Sequence, residues 1–281
     1  MAVQSVEVWC HSPTLIIGDS HVLFNPGKPL MKYEVQAGTK LFKIIETVQR
    51  LEQPTLTQIS DRLDFPKSTT HNHLETLREN GYLRKANGEY NLTLKFLDHG
   101  VHAKQNLEIA RIVTPTLEQL SADTKEAAWL MVEERGYVVG VEKALGERAV
   151  QTTGRIGRHT RFHYHAPGKA ILAHLPDERV EEILTEKGLP QKTENTITDY
   201  DAVKAELEEV RERGVAFDVG EAIAGIRSVA APVVCDGTVE GAIAVVGPKN
   251  RLRGDKFREE IPDLVSGAAN ELELRLMYDG R

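Results

Sequence analysis

Apolar positions in the first third of the chain recur at helical spacing. Leu41, Ile44, Ile45, Val48 and Leu51 repeat every three or four residues, which predicts a one-sided helix over Thr39–Leu51 with Thr39, after Gly38, as its N-cap. A shorter helix is expected to open at Thr55, since Gln58 three residues later completes a capping box, and Ile59 and Leu63 share its inner face. Asp64 to Pro66 interrupts the pattern, with Pro66 suited to the first position of the next helix. Thr70, Leu74 and Leu77 line one side of that helix, and Gly81 after Asn80 is a left-handed stop. Leu83 to Asn91 then reads as two short strands around Asn87-Gly88, the dipeptide of a tight type I′ hairpin. This order is that of a winged helix-turn-helix, whose second motif helix enters a DNA major groove.

Polar positions identify the face that would meet DNA. Lys67, Ser68, Thr69, His71 and Asn72 crowd hydrogen-bonding groups at the N-terminal end of the second helix, where base edges are read. Arg84 and Lys85 in the wing suit phosphate contacts. The competing reading is ordinary packing of two amphipathic helices, and the clustering of these residues favours the DNA interface.

Further along, Thr93 to Lys104 predicts a connecting helix with Leu94, Leu97 and Val101 on one side, a stiffer link than a Gly/Ser tether. Leu107 to Leu120 is helical by pattern, with Pro115 either kinking it or lying near its start. Ala127–Glu134 and Tyr137–Lys143 read as a hairpin about Arg135-Gly136, and Ser228–Val234 and Val239–Val246 as another about Asp236-Gly237. Val180–Glu186 and Tyr200–Arg213 are surface helices by pattern, and Phe257–Leu276 is a long closing helix. Helices and hairpins in this mixture predict an antiparallel α+β domain. Residues 1–30 have no such period; Pro13, Pro26 and Pro29 are scattered through them, and the basic start and apolar core of a secretory signal are missing. They are expected to form a loose tail, unless Met31 is the true start.

Charge changes this picture once it is divided. The net charge is −7, yet residues 31–100 carry 10 Lys and Arg against 9 Asp and Glu. Residues 101–281 carry 24 against 31, so the acid lies outside the proposed DNA-binding part. A balance of +1 is small for a DNA binder, which predicts dimerisation to double the phosphate contacts. No window approaches the ~20 apolar residues of a membrane span. Cys10 and Cys235 stand at unrelated positions and form no disulfide framework, which suits a reducing cytoplasm.

Candidate chemistry is sparse. Ala166-Pro-Gly-Lys169 has the look of a phosphate loop, but His163 holds the position of the first glycine and Ala170 that of the hydroxyl, so nucleotide hydrolysis is rejected. His159, His163, His165 and His174 lie close together without a metal-ligand spacing, and read as a polar loop with one or two histidines packed or facing a ligand. Cys10-His11 has no third ligand nearby. Asp218 and Glu221 have the makings of an acid–base pair, but no nucleophile motif accompanies them. No catalytic residue, metal or cofactor is assigned.

Several motifs together resemble the IclR-type transcriptional regulators. The first block is Leu56-Thr-Gln-Ile-Ser, Phe65-Pro-Lys-Ser-Thr-Thr-His-Asn-His-Leu-Glu-Thr-Leu, Gly81-Tyr-Leu and Tyr90-Asn-Leu. The second is Gly157-Arg158, His163-Tyr-His-Ala-Pro-Gly-Lys-Ala-Ile-Leu172, Phe217-Asp-Val-Gly-Glu221, Gly225-Ile-Arg-Ser-Val-Ala-Ala-Pro232 and Ala242-Ile-Ala-Val-Val-Gly-Pro248. The blocks occur in the family's order over roughly residues 38–278. Asn72 stands where those proteins often carry Arg, His73 where they usually carry Leu, and Asp64 where Gly is common.

The resemblance implies an N-terminal winged helix-turn-helix, a connecting helix and a C-terminal GAF-like antiparallel-sheet domain that binds an effector. Its boundaries here would be 1–37 for the loose extension, 38–92 for the DNA-binding domain, 93–105 for the connecting helix and 106–281 for the effector domain. The family's small-molecule pocket carries over to Ala166, Pro167, Asp218, Ser228, Ala244 and Val246, with Asp218 in a loop before the Ala-Ala-Pro strand. Ala244 and Val246 replace serines common in relatives that bind small acids, which makes this pocket less polar. The expected protein is a cytoplasmic, ligand-responsive repressor or activator, a homodimer or dimer of dimers on an operator. The alternative is an enzyme or metabolite-binding protein with an incidental helical domain; a purely architectural DNA binder is a third class.

Overall fold

The computed structural model describes residues 35–150 and 154–279; residues 1–34, where the loose tail and the Cys10-His11 pair were placed, lie outside the described residues. The N-terminal unit is built from α1 (Gln36–Leu51), α2 (Leu56–Leu63), α3 (Lys67–Glu79) and the hairpin β1 (Leu83–Ala86) and β2 (Glu89–Leu92). Ile44, Val48, Ile59, Leu74, Leu77, Leu83 and Tyr90 form its core. The capping box of α2 is present, with the Gln58 N–H donating to Thr55 Oγ1 at 3.4 Å and Thr55 N–H donating to Gln58 Oε1 at 2.8 Å. In the wing turn Asn87 and Gly88 both take positive φ, 53° and 85°, as a type I′ turn requires.

Two helix starts differ from expectation. α1 begins at Gln36 with Val35 as its uncapped N-cap, so Gly38 and Thr39 lie inside the helix. Gln36 and Ala37 are good helix formers, and they carry the helix a turn earlier than the cap-like Thr39 suggested. Pro66 is the N-cap of α3, not its first helical residue, because its ψ of 138° is extended.

α4 (Lys95–Gln105) leaves the wing and leads into α5 (Glu108–Ile112) and α6 (Thr114–Thr124). The chain breaks between α5 and α6, and Pro115 sits at the start of α6, where its missing N–H has no helical partner to lose. Leu94, Leu97 and Val101, the apolar side of the connecting helix, are exposed at 80%, 60% and 43%.

The C-terminal unit is one antiparallel sheet of six strands, ordered β5-β4-β3-β8-β7-β6. These are β3 (Ala127–Glu134), β4 (Tyr137–Leu145), β5 (His159–Thr160), β6 (Ala216–Val219), β7 (Ile226–Cys235) and β8 (Thr238–Pro248). Both predicted hairpins form, at Arg135-Gly136 and Asp236-Gly237, with positive φ at all four residues. One sheet face carries Leu130, Val132, Val229, Val233, Ile243 and Val245 against α5, α6 and α10 (Ile261–Asp279). A π-helical turn at Lys256–Glu260 opens the closing helix, where the sequence pattern predicts one continuous α-helix over Phe257–Leu276. The other face holds α7 (Ala166–Leu172), α8 (Asp177–Lys187) and α9 (Tyr200–Arg213) over Ala216, Ala230, Ala242 and Ala244. Alanines there let α7 approach the sheet closely.

Two expectations are corrected on this face. Part of the His159–His174 segment read as a polar loop, Ala166–Leu172, is α7, every residue of which is buried. The His-rich composition masked an apolar run, Ala166 to Leu172, opened by Pro167 in the first turn. Asp218 lies on β6, paired with Ser228 of β7, and not in a loop; four residues bounded by Gly214-Val215 and Gly220 are too short to show a strand period.

Gly168 is the closest approach in this packing. A Cβ there would lie 2.2 Å from the Phe162 carbonyl oxygen, a backbone atom that cannot swing aside. Gly168→Ala is expected to destabilise the protein by about 3 kcal/mol, the upper end of overpacking costs. Chemical denaturation of the full chain would read the change, and an unaltered midpoint would mean α7 is looser than described.

Candidate DNA interface and effector site

α3 presents Lys67, Ser68, His71 and Asn72 as exposed residues, and Thr69 half-buried beside them. The opposite side of the helix is fixed by Thr70, Leu74 and Leu77, all buried, and by Thr70 Oγ1, which donates to Pro66 O at 3.2 Å. Asp64 at φ 53° ends α2, and Ser60 Oγ donates to Phe65 O at 2.6 Å, so the turn between the helices is pinned from within. The wing strand β1 holds Arg84 and Lys85 outward, and the Lys85 ammonium lies 5.1 Å from the Tyr90 ring centroid. Arg78 forms a 2.5 Å ion pair with Glu75 on the same helix, which holds the Glu75 carboxyl below the usual carboxylate range. All seven proposed DNA-contact residues thus belong to one motif, five on α3 and two on the wing.

The six proposed effector residues gather on the sheet face under α7. Ser228 of β7 pairs with Asp218 on one side and with Val246 of β8 on the other. Ala166 and Ala244 share the apolar cluster beneath α7, and Pro167 lies in its first turn. Five of the six are buried; Val246 is half-buried. Trp129 of β3 pairs with Ala244 and so faces the same way, its ring packed on Gly140 of β4.

Polar groups whose meeting the motif reading did not foresee surround this face. Lys169, 1% exposed, donates to Glu221 Oε1 at 2.8 Å and lies 3.4 Å from Glu206 Oε1. Arg213 reaches the same Glu206 oxygen at 2.8 Å. Thr193 and Thr196 hydroxyls donate to the Glu221 carbonyl at 3.2 and 2.8 Å. The sequence signal for Lys169 was a lone ammonium amid an apolar run, which demands an acidic partner when buried. Asp218 accepts from the Glu221 N–H at 2.7 Å and from Ser228 Oγ at 3.3 Å. The acid–base pair is therefore committed to internal bonds, although Glu221 Oε2 is buried without a hydrogen-bond partner.

The four histidines part company. His165 is the N-cap of α7: its Nδ1 accepts from the Gly168 N–H at 3.0 Å, while Nε2 meets Thr160 Oγ1 at 2.9 Å. His163 Nε2 donates to Pro190 O at 3.1 Å. His174 Nδ1 donates to Ala170 O at 2.9 Å, and His159 contacts Glu134 at 3.2 Å. Among the described residues no three metal-ligating side chains converge. Elsewhere, a surface groove of about 220 Å³ between α8 and α9 is lined by Asp177, Glu178, Glu181, Lys204, Glu208 and Arg211. Its Arg211 is already paired to Asp177 and Glu208, and it lies apart from the polar cluster under α7.

With a winged helix at one end and a covered sheet with a buried polar cluster at the other, the chain has the build of a DNA-binding transcriptional regulator. Two family profiles match it: "IclR helix-turn-helix domain" over residues 39–86 and "Bacterial transcriptional regulator IclR C-terminal" over residues 101–274. The chain belongs to the IclR family of transcriptional regulators. A relative in Halobacterium salinarum, described as a probable HTH-type transcriptional regulator ArcR, is 33% identical over 83% of this chain and 91% of its own. The crystal structure of the Thermotoga maritima IclR superposes with a TM-score of 0.72 at 26% identity, covering 87% of this chain and all (100%) of that one. An IclR homologue from Microbacterium hydrocarbonoxydans, solved in complex with 4-hydroxybenzoate, shares the fold with a TM-score of 0.74 at 24% identity, over 86% of this chain and 99% of that one.

The titrating groups under α7 pull stability in opposite directions. Burial pushes the Asp218 carboxyl up to about 7, so its contribution is present at low pH and is lost as pH rises toward 7. Burial lowers His163 to about 4 and His165 to about 3, so these add stability above the unfolded value near 6.5 and lose it as pH falls. Asp218→Asn is therefore expected to remove the compensating carboxyl and steepen the loss of stability from pH 7 down to 5. Denaturation midpoints measured across that range check it; parallel profiles for parent and variant would contradict it.

Proposed function

We propose that the chain is a ligand-responsive regulator in which residues 38–92 read an operator, 93–105 connect, and 106–281 sense a metabolite. The observation that carries this reading is the outward row of Lys67, Ser68, His71 and Asn72 on α3 beside Arg84 and Lys85 of the wing. It works by binding, not catalysis, since Asp218 and Glu221 are taken up by backbone, serine and lysine partners. Its place is the cytoplasm; no described helix is long and apolar enough to cross a membrane.

The working form is a dimer or a dimer of dimers. Phe42 on α1 is 68% exposed, and the Leu94, Leu97 and Val101 side of the connecting helix is likewise open. A second copy would cover these apolar residues and double the phosphate contacts of a unit whose charge is only +1 (10 basic against 9 acidic residues over 31–100). DNA selected from a random duplex pool is expected to show two half-sites one turn, ~34 Å, apart. Asn72→Ala should relax base preference, costing about 1–3 kcal/mol at its position, whereas Arg84→Ala or Lys85→Ala should weaken all DNA alike and flatten the salt slope. An Asn72→Ala protein with parental affinity and preference would remove α3 from the groove.

The sensor reading rests on Ala166, Pro167, Asp218, Ser228, Ala244 and Val246, an apolar face with one carboxyl and one hydroxyl, the usual make-up of a small-molecule site. Burial raises the Asp218 carboxyl well above the usual carboxylate range, which favours the protonated form that could donate to a ligand oxygen. An effector must favour one arrangement of the protein, with coupling typically of ~5- to 150-fold in operator affinity. Operator titrations with 4-hydroxybenzoate and a panel of small aromatic and aliphatic acids are the direct trial. Asp218→Asn is expected to keep operator affinity while losing the response that the parent shows. A variant that responds like the parent would put the pocket elsewhere.

A further inference from the structure

The carbonyls that end α3 face the connecting helix. Lys95 Nζ, from the first turn of α4, donates to Asn80 O at 2.9 Å, and Thr93 Oγ1 donates to Gly81 O at 2.6 Å. The last carbonyls of any helix lack partners within it, and a cation placed there also complements the helix dipole. In this chain the cation comes from the element that leads to the sensor. The Lys95 ammonium lies 4.5 Å from the centroid of the Tyr82 ring, which serves as its platform. Tyr82 is itself gripped by α4: its hydroxyl and His99 Nε2 are 3.0 Å apart, and its ring lies 5.1 Å from that of Phe96. At the far end of α4, Lys104 pairs with Glu142 of β4. No residue of α4 is buried, so such side-chain contacts set how the helix sits against its neighbours.

We propose that Lys95, seated on Tyr82, is a positioning residue for DNA recognition: it locks the end of α3 to α4, so that the angle at which α3 enters the groove follows the connecting helix. This rests on the reading of α3 as the DNA-reading helix. A phosphate contact is the rival role for a lysine at this place, but the Lys95 ammonium is engaged by Asn80 O and the Tyr82 ring, and would have to leave both. The clamp also gives the sensor a route to the DNA, since any tilt of α4 pulls directly on the last turn of α3.

The test uses the full chain and two duplexes, one selected by the parent from a random pool and one with the same bases scrambled. Lys95→Met is expected to weaken binding to the selected duplex roughly 10-fold, the scale of one charge-assisted hydrogen bond, and to leave the scrambled duplex unaffected. The salt slope should stay at the parental value, and any fall in melting temperature should be small beside the loss of affinity. Lys95→Arg, which keeps a donor and a cation, should recover most of the loss, and Tyr82→Leu, which removes the platform, should reproduce it. Equal weakening on both duplexes with a salt slope reduced by about 1 would make Lys95 a phosphate contact and overturn the proposal. So would unchanged binding in Lys95→Met, or a melting temperature that falls in step with affinity. A parent that selects no sequence would overturn the DNA-reading function itself, and the positioning role with it.

Discussion

An ammonium taken out of water is tolerated only where other charges and dipoles replace its hydration. Lys169 meets that constraint at 1% exposure, in the middle of a helix that is otherwise apolar, through Glu221 and Glu206. The two acids come from different places: Glu206 from α9 and Glu221 from the turn after β6. One charge therefore fixes the position of α7 relative to α9 and to the edge of the sheet. Exchanging such a buried group and its partners for apolar residues is often neutral in proteins, while removing one partner alone is costly. The pair is thus better regarded as a device for register than as a source of stability. Around it the Thr193 and Thr196 hydroxyls, Asp218 and Ser228 fall into a single network.

The sheet is asymmetric in a way that suits two tasks. Toward α10 it offers branched and long side chains, among them Leu130, Val229, Ile243 and Val245, which interlock as an ordinary core. Toward α7 the paired positions are Ala216, Ala230, Ala242 and Ala244, with Ser228 and Asp218 at the margin. Small side chains bring a helix backbone close and leave polar groups in reach of one another. The first face is thus filled by large interlocking side chains, and the second seats a helix on a floor of alanines.

Much of this was legible before any coordinates. The capping box at Thr55, the Asn87-Gly88 turn and the burial of Thr70, Leu74 and Leu77 follow from local rules that tertiary structure had no reason to override. The two longer hairpins were visible for the same reason. What stayed hidden depends on distant partners. α7 was obscured because four histidines made its approach look polar, when His165 in fact caps the helix and His163 is bonded to a backbone carbonyl. β6 is only four residues long and exists because β7 is beside it. Lys169, Glu206 and Glu221 lie far apart in sequence, and their meeting could not be read from spacing. The six effector positions came from family likeness, and the polar network that joins two of them, Asp218 and Ser228, came from the fold.

The uneven distribution of charge has a consequence for how such a protein moves through a genome. Residues 101–281 carry 24 basic against 31 acidic side chains, and the α8–α9 surface displays Asp177, Glu178, Glu181 and Glu208. The excess of acid over residues 101–281 disfavours the approach of DNA there, so a random encounter favours the N-terminal end. That end is itself nearly neutral, and each non-specific encounter therefore releases few counterions and holds weakly. The molecule should dwell briefly at wrong sites and hop often, trading adhesion for speed of search. Residence at the right site would then rest on base contacts such as those proposed for α3.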